Sequence, residues 1–146
     1  MTPENISICL PATWRRRSNP SHGVVITARA TVLPASGVRP EAIVRCAAVD
    51  TELRTWRAAA LSELSERLVD FELEDEDEFE LLGRTVAYHR FAHRLGATDV
   101  LSDQWSWLAD GLGVTLTCSV AREDYPDYCD VFEAIAETVT IDPRAA

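Results

Sequence analysis

The sequence predicts an α+β protein: an antiparallel β-sheet of about six strands flanked by two main helices, in the order β-β-α-β-β-β-β-α. Three observations carry that prediction. Two segments place apolar residues at spacings of three and four. Several others alternate apolar and polar residues with a period of two. Glycine, proline and aspartate punctuate the boundaries between them. With 146 residues, 47% hydrophobic and 26% charged, the chain reads as one globular domain over 1–146 with its core at about 5–141.

The elements follow in order. Ile6, Ile8 and Leu10 alternate with Ser7 and Cys9 and end at Pro11, a short first strand that includes Cys9. Trp14 and Arg15-Arg16-Arg17 lead into a loop rich in Ser, Asn and Pro through His22. From Val24 to Leu33 a β-branched, alternating run reads as a long strand with Val24, Ile26, Ala28, Ala30 and Val32 on one face. After the turn region Pro34 to Pro40, Glu41 to Ala48 is read as the start of a short helix. Asp50-Thr51-Glu52 supplies capping chemistry for a longer one, whose stripe is Leu53, Trp56, Ala60, Leu64 and Leu68.

Beyond Asp70 the period changes to two, with Phe71, Leu73, Phe79 and Leu81 separated by acids. Gly83-Arg84 turns into Thr85–Leu95, Gly96 to Asp99 connects to Val100–Leu108, and Asp110-Gly111 to Leu112–Ala121. In the last of these, Val114, Leu116, Cys118 and Val120 face one way and Thr115, Thr117 and Ser119 the other. A final helix runs from about Asp124 to Val139, with Pro126 in its first turn and Tyr128, Val131, Phe132, Ile135 and Val139 buried. Thr140 to Ala146 reads as a tail.

These landmarks resemble the actinobacterial LpqN/LpqT-type family and the wider PsbP-like fold. The residues that carry the resemblance are Leu10-Pro11 followed by Trp14, Gly83-Arg84 ahead of Val86-Ala87-Tyr88-His89-Arg90-Phe91, and Val131-Phe132-Glu133-Ala134-Ile135 on the last helix. The resemblance spans about Asn5 to Ile141 and implies a non-enzymatic binding or accessory protein. Some members are exported lipoproteins of the cell envelope, whereas this chain shows neither a basic, apolar leader nor a lipobox around Cys9. A cytoplasmic location is therefore expected. The cysteines at 9, 46, 118 and 129 lack metal-ligand spacing and are read as small buried hydrophobes.

Charge narrows the partners. The chain has 24 acids against 14 bases, a net of −10, and every base is arginine, a composition compatible with an actinobacterial source. Eight of the eleven positions from Asp70 to Glu80 are carboxylates; without them the rest carries 16 acids against 14 arginines. This excludes a nucleic-acid binder, which needs a basic face, and no apolar run approaches the ~20 residues of a membrane span. Glu74, Asp75, Glu76, Asp77 and Glu78 lack the glycine of a Ca²⁺ loop. They are read as an exposed edge that discourages strand pairing and as the candidate surface for a protein partner, basic or a second copy of the chain.

The alternative reading is a carrier of a small apolar or lipid-like ligand held between sheet and helix, with Trp105, Trp107 and Trp56 as the ledge. Trp105 and Trp107 share a strand face; their full burial in a closed core would sink the carrier reading, and an open pocket of several hundred Å³ beside them would favour it. His89 and His93, four apart on a strand, stand roughly 13 Å apart at about 3.3 Å per residue and cannot share one metal; they are read as solvent-facing or cross-strand paired. His22 has no identifiable partner. No nucleophile elbow, phosphate loop or dinucleotide fingerprint is present, so neither a catalytic residue nor a cofactor is predicted.

Overall fold

A computed structural model describes residues 6–17 and 23–142; the expectations for the loop through His22 and for the two chain ends fall largely outside that range. Among the described residues nine strands and two helices follow in the order β1 (Ile6–Ser7), β2 (Trp14–Arg17), β3 (Val24–Ala30), β4 (Glu41–Ala48), α1 (Leu53–Arg67), β5 (Val69–Leu81), β6 (Arg84–Leu95), β7 (Thr98–Ala109), β8 (Leu112–Ala121), α2 (Tyr125–Glu137) and β9 (Thr140–Ile141). β2 to β8 form one antiparallel sheet ordered β2-β3-β4-β8-β7-β6-β5, and β1 pairs with β9 in a small second sheet. The α+β class, the antiparallel sheet and the two helices agree with the sequence reading.

Five local expectations are corrected. Glu41–Ala48 is a strand, because Ala42, Val44 and Cys46 also alternate. Pairing to β3 and β8 on its two sides outweighs the helix preference of its Glu, Ala and Arg residues. The arginine cluster lies on edge strand β2, where its charges blunt the edge. β3 ends at Ala30, leaving Val32 65% and Leu33 54% exposed. At the termini, β1 spans only Ile6–Ser7, so Cys9 lies outside it and is exposed, whereas part of the supposed tail forms β9.

The tight meander from β5 to β8 is set by its turns. Ala109 pairs with Leu112 across Asp110-Gly111, both with positive φ (49° and 79°), the left-handed pair required by a two-residue hairpin. In the long edge strand β5, register shifts lie between Val69 and Glu72 and between Leu73 and Asp75. An extra residue flips the alternation. Phe71 therefore packs on Phe91 (ring centroids 5.4 Å apart) on one sheet face, while Phe79 and Leu81 join the core on the other.

The two sheet faces differ in chemistry. One presents Ile26, Val44, Val86, Trp105, Trp107 and Leu116, all buried, to α2. From α2, Phe132, Ile135 and Ala136 fill that core, as the stripe predicted for the last helix requires. Tyr125, the first residue of α2, donates its hydroxyl to both oxygens of buried Asp103 (3.1 and 3.0 Å), and Tyr88 donates to the same carboxylate at 2.5 Å. Burial raises the Asp103 pKa despite those bonds. The other sheet face is crossed by α1, which carries the chain from β4 in mid-sheet to β5 at the far edge.

Candidate ligand cleft

α1 does not seal the face it crosses. Its predicted stripe of Leu53, Trp56, Ala60, Leu64 and Leu68 is only half-buried, and Arg57 is the one fully buried residue of the helix. The predicted cap is also absent: Glu52 occupies the N-cap position without a side-chain bond to the helix. The helix packs mainly along β5 and touches β6 and β7, and Trp56 near its start lies over Gly113 of β8. A Cβ at Gly113 would meet the Trp56 ring at 2.7 Å and Val49 Cγ2 at 2.6 Å, so this close approach requires glycine.

Beneath the helix lies a polar floor built by alternation on the central strands. It comprises Ser102 and Gln104 of β7 with Thr115, Thr117 and Ser119 of β8. Ser102 and Ser119 share a hydrogen bond at 2.7 Å, and Gln104 Nε2 donates to Thr117 Oγ1 at 3.0 Å. Between this floor and α1 is an open cleft of about 700 Å³, within the range of small-molecule sites. Trp56, Leu64 and Phe91 supply apolar walls.

Arg57 of α1 lines this cleft on one side and, on the other, a second opening of about 440 Å³ bordered by Glu76, Asp77 and Glu78. Arg57 is 4% exposed, one terminal nitrogen donates to Gln104 Oε1, and its guanidinium carbon lies 4.7 Å from the Trp56 ring centroid. Its Nε has no hydrogen-bond partner, and no ion pair forms to it among the described residues. Burial lowers its pKa from 12.5 to about 10. His89 and His93 lie on this face of β6: His89, 6% exposed, is paired across strands with Glu76, one of the two arrangements expected, whereas His93 is half-buried and lines the cleft instead of facing solvent. The Nδ1 atoms of both lack partners. Burial lowers both pKa values, and the Arg57 charge lowers that of His89 further, against Glu76, 3.6 Å away.

The proposed tryptophan ledge does not form. Trp105 (3% exposed) and Trp107 (2%) project together into the core beneath α2, whereas Trp56 lines the cleft on the opposite face. Trp105 also borders a smaller cleft of about 360 Å³ beside Tyr88 and Tyr125, with Asp75, Asp77, Glu133 and Glu137 around it.

The acidic stripe occupies edge strand β5, and the pleat divides it. Glu76 and Glu78 pair in register with His89 and Ala87, Asp75 and Asp77 with Arg90 and Tyr88. Much of its charge meets cations of the same chain: Glu74 pairs with Arg122 and Arg90, Glu78 with Arg54 and Asp70 with Arg94. Of the cysteines, Cys118 alone is fully buried; Cys46 and Cys129 are half-buried.

Sequence reasoning did not single out Arg57, Gln104 or His93 as site residues. The available signal was the alternation Ser102-x-Gln104-x-Ser106 against Thr115-x-Thr117-x-Ser119, two neighbouring strands each with three successive polar residues on one face.

Among solved structures the fold matches LpqN of Mycobacterium tuberculosis, described as involved in cell envelope biogenesis, with a TM-score of 0.73 and 19% identity over 94% of this chain and 83% of that one. It also matches the cyanobacterial PsbP protein CyanoP of Synechocystis sp. PCC 6803 (TM-score 0.68, 14% identity, 97% and 89% coverage). A Pseudomonas aeruginosa protein of unknown function, PA94, follows at TM-score 0.64 and 11% identity, with 97% and 99% coverage. No protein-family model and no curated protein matches the sequence. At these identities the likeness establishes a shared PsbP-like fold.

Proposed function

We propose that this chain is a non-enzymatic binding protein whose ligand occupies the cleft between α1 and the polar face of the sheet. The observation that carries this reading is the mismatch across the cleft. An apolar helix stripe stands over a floor of buried hydroxyl and amide groups, with about 700 Å³ between them. Stripes of this kind normally close on an apolar sheet, and buried polar floors normally find partners. The floor groups are bonded to one another and suit holding a molecule by hydrogen bonds. Burial of Trp105 and Trp107 removes the carrier site expected beside them; the cleft proposed here is a different site on the opposite face, sharing only Trp56 with that expectation.

The test uses two fluorescent dyes, anionic anilinonaphthalene sulfonate and neutral N-phenylnaphthylamine, with the full chain. At least one should bind with one-to-one stoichiometry, and Ala60→Trp, which fills the cleft, should abolish that binding. Failure of both dyes to bind, or binding unaffected by Ala60→Trp, overturns the reading.

The smaller cleft favours a second reading, a basic protein partner along β5. Asp75 and Asp77 stand there with Glu133 and Glu137 around Tyr88 and Tyr125, four carboxylates against one cation of the chain itself, Arg90, 5.8 Å from the Tyr125 ring centroid, which leaves acidic charge for a partner's arginine or lysine. Affinity purification from the source organism with wild type and Asp75→Asn/Asp77→Asn should show a basic protein retained by wild type alone; equal retention discards this surface.

A further inference from the structure

Resting on the cleft as the binding site, we propose that its ligand is an organic anion: one carboxylate, sulfonate or phosphate group on an apolar body. The first observation is the charge of the lining. In a chain with 24 acids, the described residues around the cleft include Arg45, Arg57, Arg67 and His93 and no carboxylate. Arg45 and Arg67 are exposed at its border, and none of the three arginines has an ion-pair partner among the described residues.

The second observation is independent of the first. Arg57 is 96% buried, by its 4% exposure, yet its Nε is unpartnered. A buried cation is normally paired, because withdrawing it from water is costly. Here the bond to Gln104 Oε1 and the Trp56 ring hold the guanidinium in place, leaving an N–H to donate. An acid group entering the cleft would meet the guanidinium and supply a counter-charge, in the charge-assisted pairing that arginine favours. His93, with its own unpartnered Nδ1, stands in the same lining. Trp56, Leu64 and Phe91 accept the apolar body.

The same two dyes, matched except for the sulfonate, separate this inference from the reading beneath it. Wild type should bind anilinonaphthalene sulfonate at least tenfold more tightly than N-phenylnaphthylamine, about 1.4 kcal/mol, since the sulfonate adds a charge-assisted contact that the neutral dye lacks. Arg57→Met should bring the ratio of the two dyes' Kd values close to one, and Arg57→Lys should keep part of the preference. Near-ultraviolet circular dichroism checks that each variant is folded. Equal binding of both dyes, unchanged in Arg57→Met, overturns the anion and leaves the cleft reading intact; absence of binding by either dye overturns both. Naphthoate and dodecanoate should displace the bound sulfonate dye, and inorganic phosphate should not. Displacement by phosphate alone would overturn the requirement for an apolar body.

Discussion

Replacing Arg57 with methionine should make the ligand-free protein more stable. Lowering the Arg57 pKa from 12.5 to about 10 corresponds to about 3 kcal/mol at 1.36 kcal/mol per pH unit, the cost of keeping the charge in its buried place at neutral pH. Methionine has similar length, fills the space and carries no charge. Against this gain stand the Gln104 Oε1 bond, about 1 kcal/mol, and the contact over Trp56 at 4.7 Å, about 0.5–1 kcal/mol. The balance is a gain of about 1 kcal/mol, or roughly 3 °C in Tm for a chain of this size. Thermal and urea unfolding at pH 7.5 without ligand measure it. Arg57→Met/Gln104→Leu, which also removes the orphaned acceptor, should rise further. A loss of about 2 kcal/mol or more in Arg57→Met would refute the reasoning, because it is the result expected of a buried charge already compensated within the fold.

Gly113→Ala should displace Trp56 and loosen α1, costing about 1–3 kcal/mol; hydrogen exchange should accelerate in Leu53–Arg67 and stay slow in α2, and equal change in both helices would refute local loosening. Asp103→Ala strands the Tyr88 and Tyr125 hydroxyls that donate to it and should cost about 2–4 kcal/mol by urea unfolding, with Asp103→Asn costing less than half of that. His89 and His93 titrate below the ordinary 6.5 in the folded protein. As pH falls through 6.5 the unfolded chain therefore takes up protons that the folded one refuses, and stability is lost by up to about 1.4 kcal/mol per pH unit for each histidine. Asp103, whose pKa is raised above 3.8, acts in the opposite sense and chiefly at lower pH. Tm should thus fall between pH 7 and 5.5, less steeply in His89→Gln; identical slopes would exclude His89 as a source.

The sequence was most legible where one period stood alone. Leu112–Ala121 alternates without interruption, and its strand has those bounds; Phe132 and Ile135 of the last helix fall in the core as their spacing requires. It was least legible in Glu41–Ala48, where Ala42, Val44 and Cys46 fit a strand but the composition suits a helix. Only the flanking strands β3 and β8, distant in sequence, decide between them. The cleft was hidden for a related reason. Alternation shows that Thr115, Thr117 and Ser119 share a face but not what stands above it. The apolar stripe of α1 predicts burial against something apolar, and the fold sets it over hydroxyl groups instead. Arg57 sits beside the stripe rather than in it, so its burial depends on where α1 crosses the sheet.

The net charge of −10 first suggests a protein that repels anions, but the placement of its charges reverses that inference locally. At physiological salt the Debye length is about 8 Å, so an acid group in the cleft would respond mainly to what lies within contact distance. At 4 Å and an effective dielectric constant of 20, one unit charge contributes about 4 kcal/mol before desolvation; exposed charges beyond the Debye length are largely screened. The lining within reach is arginine and histidine, while the densest acids lie on edge strand β5, several of them held by Arg54, Arg90, Arg94 and Arg122. Those four arginines pair with Asp70, Glu74 and Glu78 of the edge; Arg45, Arg57 and Arg67 form no ion pair among the described residues, although Arg57 also borders a second opening beside Glu76, Asp77 and Glu78. The division gives the chain a cationic cleft on an acidic surface, and the sign of its ligand follows from the cleft.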